Sequence, residues 1–111
     1  MGVRDYIGNF ELMVLLTLMR LGDDAYGIPI SEQIEAITGR EVRLGSVYVT
    51  LERLEKKGLV RSLLGEPTPE RGGRAKRYFH VTAKGLREVA DTQRALMLLS
   101  QGLPGLTEDA V

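Results

Sequence analysis

Apolar residues crowd the stretch NFELMVLLTLMRL at positions 9–21 on every side of a helical projection. The pattern predicts a helix with Asn9 as its N-cap and Gly22 as its stop. A helix without a polar face must be covered all round. One small domain covers one side, so a partner subunit is expected on the other. A second helix is predicted over about 28–38, with Pro29 in its first turn, Ile30, Ile34 and Ile37 as its apolar stripe and Gly39 as its end. A third is predicted over about 45–57, stopping at Gly58. In it Leu44, Val47, Leu51 and Leu54 share a narrow arc and are expected to face the core. Ser46, Thr50, Arg53 and Lys57 fall in a second arc roughly opposite, with Val49 at its edge.

The period then changes. LVRSLL (59–64) and KRYFHV (76–81) read as strands, joined by the Gly- and Pro-rich GEPTPERGGRA (65–75). Thr82 is the expected N-cap of a last helix, about 83–100. On it Leu86, Val89, Ala90, Gln93, Leu96 and Met97 recur at three- and four-residue steps, as in a seam that meets a partner. Three helices, a hairpin and a helix, in that order, make a mainly α protein with a small β-hairpin. This is the order of a winged helix-turn-helix with an added C-terminal dimerisation helix. Residues 1–82 form the winged domain, 83–101 the dimerisation helix and 102–111 a mobile tail. In such a fold the third helix enters the DNA major groove, and the basic tip of the hairpin follows the backbone or enters the minor groove.

Composition narrows the function. The 111 residues fit one domain, and 43% hydrophobic with 27% charged residues is an ordinary globular balance. With no cysteine, disulfides, zinc–thiolate sites and thiol catalysis are excluded. A single histidine leaves a metal cluster or a catalytic triad almost nothing to draw on. No apolar run approaches the roughly 18 residues that span a bilayer, so no membrane partner is expected. No signal peptide is read around Arg4, Asp5 and Glu11. A cytoplasmic protein without enzymatic activity, metal or cofactor is the expectation.

The net charge is zero, but its distribution is not even. Residues 1–38 carry two basic against six acidic side chains, residues 39–87 twelve against five, and residues 88–111 one against four. Within the basic block, residues 71–87 hold Arg71, Arg74, Lys76, Arg77, Lys84 and Arg87 with no acid. Such asymmetry is a footprint for a polyanion.

Three segments carry a family resemblance. Tyr26-Gly27 precedes the second helix, Gly45-Ser46-Val47-Tyr48-Val49-Thr50-Leu51 opens the third, and Lys76-Arg77-Tyr78-Phe79-His80-Val81-Thr82-Ala83-Lys84-Gly85 closes the hairpin. In order and spacing, over about residues 10–90, these resemble the PadR family of bacterial transcriptional regulators. Val49 stands where the family pattern has proline, and Ile28-Pro29 replaces the usual continuation after Tyr-Gly. The resemblance implies a homodimer built from the first and last helices, and repression of genes near its own. The single C-terminal helix is similar to that of the family's short members. Some of those bind flat apolar molecules in the dimer interface through an aromatic residue on the last helix. This chain has none there, although an apolar small-molecule effector at that interface is kept among the candidate partners.

The candidate DNA contacts follow from the two readings together. Ser46 and Thr50 are placed to bond phosphate or base edges, against the simpler roles of cap and solvated face. Arg53 and Lys57, further along the helix, suit phosphates, unless Glu52 and Glu55 hold them in helix salt bridges. Arg43 precedes the helix within reach of a phosphate. Val49 takes the proline position. Tyr48 is as well suited to packing as to DNA contact. Arg71, Arg74, Lys76 and Arg77 are the candidates of the wing. Phe10, Met13, Leu16, Leu86, Val89, Gln93, Leu96 and Met97 are the candidate dimer interface. The sequence thus predicts a dimeric, sequence-specific repressor of double-stranded DNA with a pseudo-palindromic operator. The alternative is a winged-helix module that docks proteins, since the fold does not fix the function.

Overall fold

The computed structural model describes residues 6–66 and 75–106. Helix α1 spans Asn9–Leu21 and begins one residue earlier than expected: Gly8, not Asn9, is the N-cap. Glu11 reaches back to the Gly8 N–H at 3.1 Å, which satisfies one donor at the helix start. Gly22, with φ +59°, ends the helix. Within the chain α1 packs against α2 (Gly27–Thr38), α3 (Leu44–Lys56), β2 (Arg77–Val81) and α4 (Ala83–Ser100). That explains its apolar circumference. Leu12, Val14, Leu15 and Leu18 are buried, whereas Met13 and Met19 are exposed.

In α2 the buried positions are Ile30 and Ile34. The stripe runs off the core in its last turn, where Ile37 is exposed, contrary to the sequence pattern. Gly39 closes the helix with φ +76° and donates to the Glu35 carbonyl at 2.8 Å. Val47, Leu51 and Leu54 fasten α3 to the core, while Leu44 lies in the first turn and stays partly exposed. The C-terminal end of α3 is a Schellman motif. Gly58, at φ +77°, donates to the carbonyl of Glu55, and Leu59 donates to that of Leu54. This turn sends the chain directly into β1 (Val60–Leu64).

β1 and β2 form a two-stranded antiparallel sheet with Ser62 opposite Phe79 and Leu64 opposite Arg77. Val60 and Phe79 are buried. The Phe79 N–H donates to the Ala25 carbonyl at 2.8 Å and ties the sheet to the segment before α2. Thr82 caps α4, as its sequence position implies: its Oγ1 accepts from the Gly85 N–H at 3.0 Å and donates to the Gly58 carbonyl at 2.7 Å. Lys84 Nζ donates to the Lys57 carbonyl. At Gly85 the backbone of α4 lies so close to Leu59 that a Cβ would overlap the Leu59 carbonyl oxygen and the Val81 side chain. The last described element is a single 3-10 turn at Pro104–Leu106.

Candidate nucleic-acid interface

The side of α3 turned away from the core carries Gly45, Val49, Glu52, Arg53 and Lys56, with Ser46 and Tyr48 at its edges. Val49, 56% exposed, is near its middle. This corrects the arc drawn from sequence. Thr50 is only 4% exposed and sits with Val47, Leu51 and Leu54 on the core side. A threonine fits that surface through its methyl group, and placing it on the outward arc turns the projected face by nearly a quadrant. Lys57 is also withdrawn. Its ammonium lies 2.8 Å from Oε2 and 3.1 Å from Oε1 of Glu11. Glu52 and Lys56, not singled out as contacts from sequence, take the vacated positions. Val49 was the signal available, because Glu52, Arg53 and Lys56 follow it at three, four and seven residues.

Glu11 is a buried carboxylate. Burial by itself raises its pKa. The Lys57 ammonium, the Gly8 N–H and the charge of Arg53 more than offset this and hold it below the ordinary glutamate value. The start of α1 and the end of α3 are thereby joined through an ionised pair.

Tyr48 is partly packed and partly exposed. Its ring end lies on Gly27, where a Cβ would overlap the hydroxyl and Cζ. The glycine of the Tyr-Gly pair, the first residue of α2, thus has a steric reason. Arg43 is the N-cap residue of α3 and is exposed. It stands at the rim of a cavity of about 560 Å³ whose floor includes Phe10, Met13, Ile34 and Val42.

The hairpin flanks α3. A groove of about 620 Å³ between them is lined by Tyr48, Glu52, Glu55, Lys56, Arg77 and Phe79. Arg77 is exposed and lies 3.9 Å from Glu55. Lys76 is engaged within the fold: its Nζ is 4.5 Å above the Tyr26 ring and 3.3 Å from the Tyr26 hydroxyl. The Tyr26 ring meets that of Tyr78 edge-on at 5.5 Å. Arg71 and Arg74 lie outside the described residues.

Of the candidate interface residues, Met13, Leu86, Gln93, Leu96 and Met97 are exposed, and Phe10 and Leu16 are half-buried. Val89 is the exception. At 3% exposure it belongs to the core of the chain, on the same side of α4 as Gly85 and Thr92. The seam left outside is Leu86, Ala90, Gln93 and Met97, and Leu98 and Leu99 beyond it are exposed as well. Among the described residues no cluster of His, Asp or Glu is arranged to hold a metal ion, and no helix is long and apolar enough to cross a membrane.

A helix-turn-helix followed by a two-stranded wing defines the winged-helix class. The model of the transcriptional regulator PadR-like family matches residues 15–91, and the chain belongs to that family of transcriptional regulators. It is similar to an uncharacterized protein of Lysinibacillus sphaericus, 27% identical over an alignment of 110 residues, gaps included, that covers 91% of this chain and 98% of the relative. Two solved structures share the fold. A PadR-like transcription factor from Bacteroides fragilis superposes with a TM-score of 0.73 at 21% identity, covering 88% of this chain and 89% of the other. A PadR-like transcriptional regulator from Bacillus cereus gives 0.71 at 23% identity, covering 89% and 91%.

Proposed function

We propose that the protein is a homodimeric repressor that binds a pseudo-palindromic operator, with α3 in the major groove and the hairpin on the backbone. The observation that carries this reading is the outward face of α3. Arg53 and Lys56 there supply phosphate contacts, and Ser46, Val49 and Glu52 stand at helical spacing for base edges. An apolar Val49 suits a thymine methyl, and a Glu52 carboxylate accepts from the amino group of cytosine. Arg43 at the helix start and Arg77 across the groove extend the cationic surface on both sides. Dimerisation is supported by the exposed seam of α4 and the apolar run to Leu99, which a second copy would cover. Two copies related by a two-fold axis place two recognition helices on half-sites about one helical turn apart. Repression follows from occupying a site that overlaps a promoter.

The test is selection of duplexes from random DNA with the full chain, followed by anisotropy titration of the selected duplex and a shuffled control across a salt series. Preference by about a hundredfold or more, with affinity falling steeply as salt rises, is expected. Equal and weak binding to both duplexes rejects the DNA reading in favour of a protein-docking module.

A further inference from the structure

Two glutamates on successive turns of α3 are held differently. Glu52 has no side-chain partner among the described residues and faces outward. Glu55 is turned into the groove beside the hairpin. It accepts a hydrogen bond from Ser62 Oγ at 2.8 Å and stands 3.9 Å from the Arg77 guanidinium. Ser62 belongs to β1 and Arg77 to β2, so one carboxylate touches both strands. Among the described residues these are the polar side-chain contacts between α3 and the hairpin.

The rest of the hairpin is anchored elsewhere. Its inner half is held by burial of Val60 and Phe79 and by the bond from Phe79 to Ala25. Its outer half is less buried: Leu63, Leu64 and Arg77 are exposed, and on the face away from α3 Lys76 and Tyr78 rest on the Tyr26 ring. Glu55 spans the two halves from α3, through Ser62 opposite Phe79 and Arg77 opposite Leu64.

We propose that Glu55 is a positioning residue that sets the distance of the wing from the recognition helix and so brings Arg77 onto the DNA backbone. The proposal rests on the DNA-binding reading above. A carboxylate at this place also repels phosphate, and the two roles differ in sign. If repulsion dominated, removing the charge would tighten binding to every duplex. If positioning dominates, removal releases the wing and weakens binding to the operator.

The experiment compares wild type, Glu55→Ala, Glu55→Gln, Ser62→Ala and the double variant Glu55→Ala with Ser62→Ala on the selected duplex, by anisotropy across salt and by hydroxyl-radical footprinting. Circular dichroism at the assay temperature restricts the comparison to folded protein, and Ser62→Ala, at a half-exposed strand position, tests the contact from its other side. Expected for Glu55→Ala is an affinity loss of about tenfold, the scale of a hydrogen bond to a charged group. It is accompanied by a shallower salt dependence and by loss of the wing's protections while those of α3 remain. Glu55→Gln, which can still accept from Ser62, restores most of the affinity, and Ser62→Ala with Glu55→Ala is no worse than Glu55→Ala alone. Tighter binding by Glu55→Ala, or an unchanged footprint with only a lower melting temperature, overturns the proposal. Wild-type protein that selects no duplex overturns the DNA reading and this proposal with it, and that result is distinct because it precedes any variant.

Discussion

Lys57 and Glu11 are joined by an ammonium–carboxylate contact of 2.8 Å that links the end of the recognition helix to the start of α1. A cation that the sequence assigns to DNA is therefore committed to the fold. Lys57→Ala leaves the buried carboxylate without its partner. We expect a loss of about 1–2 kcal/mol in chemical denaturation, below the range for a fully buried pair because Lys57 itself is half-exposed. The salt dependence of DNA binding is expected to stay as in wild type. A slope reduced by one unit would place Lys57 on a phosphate after all.

The same pair gives the protein a pH dependence with a definite sign. Glu11 is held below its ordinary value in the folded state, so its contribution is complete above the unfolded value of about 4.3. It is lost as pH falls through the lower folded value. Denaturant midpoints measured from neutral to acidic pH should therefore fall more for wild type than for Glu11→Gln. Parallel profiles would mean that the pair is not ionised.

On the outward face of α3, Arg53→Ala and Lys56→Ala should each lower the slope of log affinity against log salt by about one unit. Thr50→Ala should leave the slope alone and cost about 1 kcal/mol of stability, because its side chain is inside. Titrations at several salt concentrations separate the two behaviours. A slope change in Thr50→Ala would contradict the orientation of the helix.

Gly85→Ala introduces a methyl group where the Leu59 carbonyl already sits. Neither backbone can yield without moving α4 off the hairpin. A destabilisation of about 2–3 kcal/mol is expected in urea unfolding. Near-wild-type stability would mean that this corner is looser than the packing implies.

Met97→Glu and Val89→Ala distinguish the outer from the inner face of α4. The first should give a folded monomer in sedimentation equilibrium, because a charge is placed on the exposed seam. The second should keep the oligomeric state and lose about 1–2 kcal/mol of stability. A dimer that survives Met97→Glu would move the subunit contact away from this seam.

Element order and most element ends were legible in the sequence because glycine and capping signals stand where the chain turns. Gly22, Gly39 and Gly58 take positive φ and end three helices, and Thr82 caps the fourth. What the pattern misplaced were side chains whose class does not match their surroundings. Thr50 is polar by name and buried in fact, whereas Leu44 and Ile37 are apolar and lie where helices overrun the core. Val89 shares the spacing of the α4 seam, but its angle on the helix points inward with Gly85 and Thr92. The pairings of Lys57 with Glu11 and of Ser62 with Glu55 were not readable, because the first spans 46 residues and the second depends on the tilt of a strand against a helix. The Gly27–Tyr48 contact falls between these cases. Both residues stand out in the sequence, but their contact appears only when α2 and α3 are packed.

The chain has no tryptophan and four tyrosines. Tyr26 and Tyr78 meet edge-on beside the wing, and Tyr48 sits in the groove next to α3. Its ultraviolet emission therefore arises largely from the two sides of the hairpin. Ultraviolet excitation of these tyrosines gives a label-free optical reporter of what happens at the hairpin, with no dye attached to either molecule.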